Sequence, residues 1–424
     1  MCILNYSSYW LRHIIVIFYK YTKIKIKKQV RRIIQDTHSD LIKDEIYYTL
    51  LVDGNSLLFN CMADDKVNSR GVHYGGIFQF LLQLKMIMQK RTFKYVYIFF
   101  DNEYSGWMRW NLYKHYKSNR DKHYELYGAS DYMKEYNENL RRMQNYIFNK
   151  NKKKDENNTK EKSGWEKFID ENFDRERDCL CRYFNELYIR WYIDDIVEGD
   201  DLISYYCKHK EPNEKIYIIS SDMDLSQLLS DDIAIYNQQL KKFISNKNFR
   251  DYFDVIPENI VIKKVFCGDT SDNIGNIKGL SERILMEMVP EIKTKPISIE
   301  DVKNKAQLLI EERVNEKKKP LKVHENIING ISNKEYDGDF YEINKKIIDL
   351  KNPLLTEEAE EEMKSMMHTP QDPEDRSFKN LYKYIIEDGV EELMGDTKFT
   401  SFFSTFKQLT EREIAEYKKY SEKK

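Results

Sequence analysis

Carboxylates crowd this sequence at spacings that suit metal chemistry. Glu198, Asp200 and Asp201 stand together in an EGDD stretch, and Asp222 and Asp224 form a DMD further on. Between them, the largely apolar run Ile203 to Cys207 predicts the start of a short helix. Lys215 to Ser220 (KIYIIS) predicts a short buried strand. The DMD follows the carboxyl end of that strand, the edge where open α/β sheets bind ligands. Carboxylates this close repel one another unless a divalent cation neutralises them, and hard oxygen donors suit Mg²⁺ or Mn²⁺ rather than zinc. The plain alternative is that strand-end acids are solvated or cap helices. Two clusters flanking one strand–helix unit weigh against it.

More acids stand at similar places. Tyr47 to Val52 reads as a strand running into Asp53-Gly54-Asn55-Ser56, and Lys94 to Phe100 as a buried strand running into Asp101-Asn102. A helix is expected from Pro257, with the proline in its first turn. It leads to Gly268-Asp269-Thr270-Ser271-Asp272-Asn273. Taken alone, Asp53 is also an ordinary turn residue before glycine. A phosphatase with an aspartyl nucleophile would carry a second Asp where Asn55 stands.

One basic stretch complements the acids. In Ser105 to Arg120, Arg109, Lys114, Lys117 and Arg120 recur at near-helical spacing, with Trp107, Trp110, Tyr113 and Tyr116 between them. Cations bind phosphate oxygens and aromatic faces stack on unpaired bases. The competing reading is an amphipathic helix with lysine stems lying on apolar surface.

These five acidic motifs, in this order, together with Tyr116-Lys117-Ser118-Asn119-Arg120, resemble the 5′→3′ exonuclease and flap endonuclease family, most of all the phage replicative RNase H. The likeness covers about residues 47 to 290. It departs from the family pattern at Gly199, at Gly275-Asn276 and at Gly279-Leu280-Ser281. The resemblance implies an α/β fold: a central, mostly parallel Rossmann-like (PIN-like) sheet flanked by helices, a helical arch, and a C-terminal helical region with a helix–hairpin–helix motif. It implies two Mg²⁺ ions, replaceable by Mn²⁺. Asp53, Asp101, Glu198, Asp200 and Asp222 would hold the first. Asp224, Asp269 and Asp272, with Asp201 acting through water, would hold the second. Lys117 and Arg120 would face the scissile phosphate, with Arg109 and Tyr116 in the same nucleic-acid surface. Gly275, Lys278, Gly279 and Ser281 would meet the duplex backbone. Hairpins of this family often hold a monovalent cation, and Ser281 in the last glycine position leaves K⁺ an open question.

The domains expected are a basic extension over 1–46, a catalytic domain over 47–255 containing an arch at 121–187, and a helical domain over 256–424. The arch should hold a helix at Asp131 to Tyr146 and a polar low-complexity run at Asn149 to Lys162. The extension has eight Lys or Arg and no acid up to Gln35. Its readings are contact with a membrane surface or nucleic acid, a targeting segment (against which it is poor in Ser and small residues) or an upstream start codon. The one favoured is an extension outside the catalytic fold with no assigned role.

Composition narrows the class. The 424 residues are 41% hydrophobic and 33% charged, which is globular with a highly charged surface. A net charge of −2 rules out a polycation, so any nucleic-acid surface must be local. Six cysteines without a CxxC pair suggest free thiols in a reducing cytoplasm (the host's, if the chain is phage-encoded). No apolar run reaches membrane-spanning length.

The function expected is a Mg²⁺-dependent 5′ nuclease acting on 5′ ends and flaps of DNA and on RNA–DNA hybrids in primer removal. It would be a monomer, with a single-strand-binding protein or sliding clamp as partner. The alternatives are a structure-specific DNA-binding protein that has lost catalysis, and a single-strand ribonuclease on a PIN-like sheet.

Overall fold

The computed structural model describes residues 46–118, 164–374 and 376–422. Residues 1–45 of the basic extension, Arg120, and residues 121–163 of the arch expected over 121–187 lie outside them, including the helix and polar run read there. The chain divides after Tyr47, and the unit Tyr48–Lys424 carries the fold described below.

Six strands form one sheet: β1 (Tyr47–Asp53), β2 (Tyr95–Asp101), β3 (Arg190–Asp194), β4 (Glu214–Ile219), β5 (Ile233–Asn237) and β6 (Lys242–Ile244). Their order is β3-β2-β1-β4-β5-β6. β1 with β2, β2 with β3, and β4 with β5 are parallel, and β6 closes the edge antiparallel to β5. Successive side chains of a strand point to opposite faces. Leu51, Tyr97 and Phe99 therefore enter one core, and Leu50, Val52, Val96, Ile98 and Phe100 enter the other. The continuous apolar runs are what a sheet covered on both faces requires. The order steps from β1 to β2 and β3 on one side and to β4 and β5 on the other. The direction change falls between β1 and β4, where such sheets open a crevice.

Helices follow the strands. α1 (Gly54–Cys61) starts directly after β1, and Asp53 caps it by accepting from the Ser56 N–H at 2.9 Å. α2 (Gly75–Lys90) buries Ile77, Phe80, Leu81, Leu84 and Met88, the face its periodicity selects. α3 (Trp107–Leu112) is short, and α4 (Gly164–Leu187) packs Tyr183 and Phe184 under the sheet. α5 (Gly199–His209) begins at the EGDD stretch, which places Asp200 and Asp201 in its first turn. α6 (Ile260–Cys267), a hairpin, and α7 (Glu282–Met288) follow, after a single 3₁₀ turn that carries Pro257 at its start. The remainder is helical: α8 (Ile299–Asn315), α9 (Lys322–Asn329), α10 (Phe340–Ile348), α11 (Glu357–His368), α12 (Phe378–Asp388), α13 (Asp396–Phe403) and α14 (Lys407–Ser421). Phe399, Phe402, Phe403, Phe406 and Leu409 complete the core that α2 and α4 enter. No helix among the described residues is long and apolar enough to cross a membrane.

Two local readings need correction. Among its described residues, the basic–aromatic stretch is helical only over α3. Tyr113 leaves the helix in extended conformation and stacks on Tyr336 at 4.4 Å, so the chain turns and its four aromatics are buried. The run LYIRWYI from Leu187 to Ile193 reads as a strand in the sequence, but β3 begins only at Arg190. α4 runs through Leu187, and Tyr188 reverses the chain with a φ of 56°.

Candidate active site

Asp53 and Asp101 are the last residues of two adjacent parallel strands, so the sheet itself sets them side by side. Asn55 locks the pair, accepting from the Asp101 N–H at 3.1 Å. At the end of β3, Asp194 accepts from the Ile196 and Val197 N–H groups at 2.9 and 3.0 Å. That turn delivers Glu198 to the start of α5, where the Gly199 N–H donates to Asp101 at 2.6 Å. After β4, the Ser220 hydroxyl donates to Asp53 at 2.6 Å and accepts from the Asp222 N–H at 2.9 Å. One serine thus ties the end of β1 to the DMD turn.

The result is a cleft of about 340 Å³. Asp53, Asp101, Glu198, Asp200, Asp222, Asp224, Asp269 and Asp272 line it, and the cations among the lining residues are Arg109 and Lys117. Carboxylate oxygens of Asp224, Asp269 and Asp272 lie within 4.8 Å of one another. At that range two like charges repel by roughly 3 kcal/mol at an effective dielectric of 20. Burial, with Asp101 and Asp222 nearby, pushes the Asp53 carboxyl up to about 7, against hydrogen bonds from Ser220 and Ser56. Burial and then the Asp222 and Asp53 charges push Asp200 well up, and burial followed by Glu198 raises Asp101. Protons held by so many hard oxygen donors are what divalent cations displace, so the donor set fits such ions.

Two carboxylates behave oppositely. Burial would raise Glu198, but Lys117 and Arg109 outweigh it and hold it at about 2. Arg109 donates to it at 2.6 Å and the Tyr116 hydroxyl at 3.0 Å, and Lys117 reaches its other oxygen. Asp269 is likewise held at about 2, because Lys264 outweighs burial. Lys264 donates to it at 2.5 Å and also contacts Asp224. Lys117 has a φ of 50°, a left-handed backbone costing on the order of 1 kcal/mol for such a residue.

A family model described as "5'-3' exonuclease, N-terminal resolvase-like domain" matches residues 48–254. These residues belong to the 5′ nuclease family. A 5'-3' exonuclease of Mycoplasmopsis pulmonis is 35% identical over 98 residues, covering 23% of this chain and 33% of that protein. DNA polymerase I of Bacillus subtilis is 23% identical over 274 residues, covering 63% of this chain and 26% of the polymerase. The chain thus spans about a third or less of the length of these two relatives. Among solved structures, a bacteriophage T5 flap endonuclease in a pseudo-enzyme–product complex with DNA and metal ions superposes with a TM-score of 0.50 at 15% identity. That match covers 81% of this chain and all of the other, and it agrees with the mostly parallel, helix-flanked sheet expected of a 5′ nuclease.

Within this cleft, several expected roles change. Asp201 is fully buried, paired with Arg109 and accepting from the Leu354 N–H at 3.0 Å, so it faces away from the acidic trio. Arg109 and Tyr116 are 4% and 3% exposed, bound to Glu198 instead of presented to a nucleic acid. Gly275 is buried too: a Cβ there would meet the Ser332 hydroxyl at 2.8 Å, so the glycine serves close packing and not a phosphate. Lys278, Gly279 and Ser281 are exposed, with Gly279 at φ 82° and Ser281 capping α7. Arg120 lies outside the described residues. Sequence reasoning missed Ser220, Asp194 and Lys264. Only Lys264 left a signal, as one of two cations in the otherwise apolar stretch IVIKKVFC.

Proposed function

We propose that the chain is a divalent-metal-dependent 5′ nuclease that hydrolyses phosphodiesters at 5′ ends and flaps of DNA and in RNA–DNA hybrids, in the removal of replication primers. The observation that carries this reading is the convergence of acids from positions 53 to 272 on one cleft at the carboxyl edge of the sheet, with Lys117 on its wall.

Asp53, Asp101, Glu198, Asp200 and Asp222 would hold one Mg²⁺ and Asp224, Asp269 and Asp272 a second, with Mn²⁺ able to replace either. Such ions would supply a nucleophilic water and the charge that offsets an anionic phosphodiester. Lys117 would orient the scissile phosphate and stabilise charge on its oxygens. Arg109 and Tyr116 keep the Glu198 carboxylate ionised and aimed, which needs no contact with substrate. The exposed hairpin residues Lys278, Gly279 and Ser281 would hold a duplex through its backbone, so recognition would follow shape and not sequence.

The test is release of short 5′ products from end-labelled flap, nicked and hybrid substrates with Mg²⁺ and with EDTA. Asp222→Ala should abolish cleavage and leave DNA binding largely intact. Metal-independent binding without turnover in the parent protein would mark a binding protein instead.

A further inference from the structure

The loop after α6 does more than supply acids. Asn273 follows Asp272 directly and has a φ of 60°, a left-handed conformation that asparagine tolerates better than most residues. Its side-chain nitrogen donates to the His115 carbonyl at 2.8 Å and to the Ser118 hydroxyl at 2.7 Å. The Asp272 carbonyl accepts from the Lys117 N–H at 2.8 Å. Three hydrogen bonds from two consecutive residues therefore straddle Lys117, itself left-handed.

Lys334 fixes the sense of this clamp. Its ammonium donates to the Asn273 carbonyl at 2.8 Å and also contacts the side-chain oxygen. An ammonium can only donate, so the amide oxygen must face it and the NH₂ must face residues 115–118. Lys334 is carried by a segment that rests on the hairpin. The Lys278 N–H donates to the Ile331 carbonyl at 2.9 Å, and the Asn333 N–H to the Asn276 carbonyl at 3.0 Å.

We propose that Asn273, oriented by Lys334, is a positioning residue that holds Lys117 in its left-handed conformation and so sets its ammonium against the cleft. The inference rests on the nuclease reading, in which Lys117 meets the scissile phosphate. Asn273 touches neither substrate nor metal in this role; it acts through the backbone of residues 115–118. Misplacing a phosphate-orienting group by an ångström slows such a reaction about 10²-fold.

The experiment measures single-turnover flap cleavage and flap affinity in Mg²⁺ for the parent protein, Asn273→Gly, Lys117→Ala and the double variant. Glycine keeps the left-handed backbone and removes only the amide. Asn273→Gly should cut the rate about 10²-fold with affinity changed less than about twofold. In the Lys117→Ala background the same change should cost almost nothing, because the residue being positioned has already lost its ammonium. An undiminished effect in that background, or a loss of affinity matching the loss of rate, would overturn the proposal. If Asn273→Gly melts far below the parent, Lys334→Met takes its place with the same two expectations. Failure of the parent protein to cleave would overturn the nuclease reading, and this inference with it.

Discussion

Lys264 donates to Asp269 at 2.5 Å across the end of α6, and the same ammonium reaches Asp224. One lysine thereby pairs with two of the three acids proposed for the second ion. A cation bound there must push that ammonium aside or share the acids with it. Lys264→Met should therefore raise the affinity of this position for Mn²⁺, by roughly tenfold for the loss of one nearby positive charge. Titration calorimetry without DNA would show it as a tighter second binding event, and a weaker one would refute the account.

Lys117 pairs with Glu198 in the cleft wall. Lys117→Ala should lower single-turnover cleavage by about 10²- to 10³-fold, the usual cost of losing one preorganised group aimed at developing charge. Affinity for a flap should change far less. A rate within a few fold of the parent would remove Lys117 from the reaction.

The acidic cleft makes metal-free stability depend on pH. Asp53 stands near 7 in the fold against an ordinary value of 3.8, so the folded protein holds a proton that the unfolded chain has released. The stability this represents is fully present below about pH 4 and lost as pH rises through 7. Glu198 and Asp269, both held near 2, contribute with the opposite sense: their stability is lost as pH falls towards 2. Divalent ions should cancel the loss at high pH. Thermal melts in EDTA should show a lower midpoint at pH 8 than at pH 5, and saturating Mg²⁺ should raise the midpoint by several degrees more at pH 8. Equal Mg²⁺ shifts at both values would contradict the crowding.

Away from the cleft, Arg190 at the start of β3 pairs with Glu413 of α14 at 2.9 Å, both almost fully buried. Removing one partner strands a buried charge, so Arg190→Met should cost about 3–5 kcal/mol in urea unfolding. Adding Glu413→Leu should recover much of that, because no isolated charge would remain. Additive losses would show that the pair does not act as a unit.

The residues themselves determined the architecture and the acids of the site. Strands buried on both faces must be written as unbroken apolar runs, so YYTLLV and KYVYIFF announced buried strands, and the resemblance implied that their sheet is mostly parallel. An acid just beyond such a run lies at the sheet's carboxyl edge whatever the surroundings. Asp53, Asp101 and Asp222 were legible for that reason, whereas Asp269 follows a helix and was legible only through the GDTSDN motif. What each charged group faces was not legible. Asp200 and Asp201 are neighbours of one kind, yet α5 turns the first into the cleft and the second onto Arg109, because helical residues one apart point about 100° apart. Arg109 and Tyr116 read as surface contacts until packing enclosed them around Glu198. Lys264 and Asn273 gained their roles from partners 40 and 155 or more positions away, at Asp224, Ser118 and His115. Hydrogen-bond and ion-pair partners are fixed by distance in space, which tertiary folding alone sets.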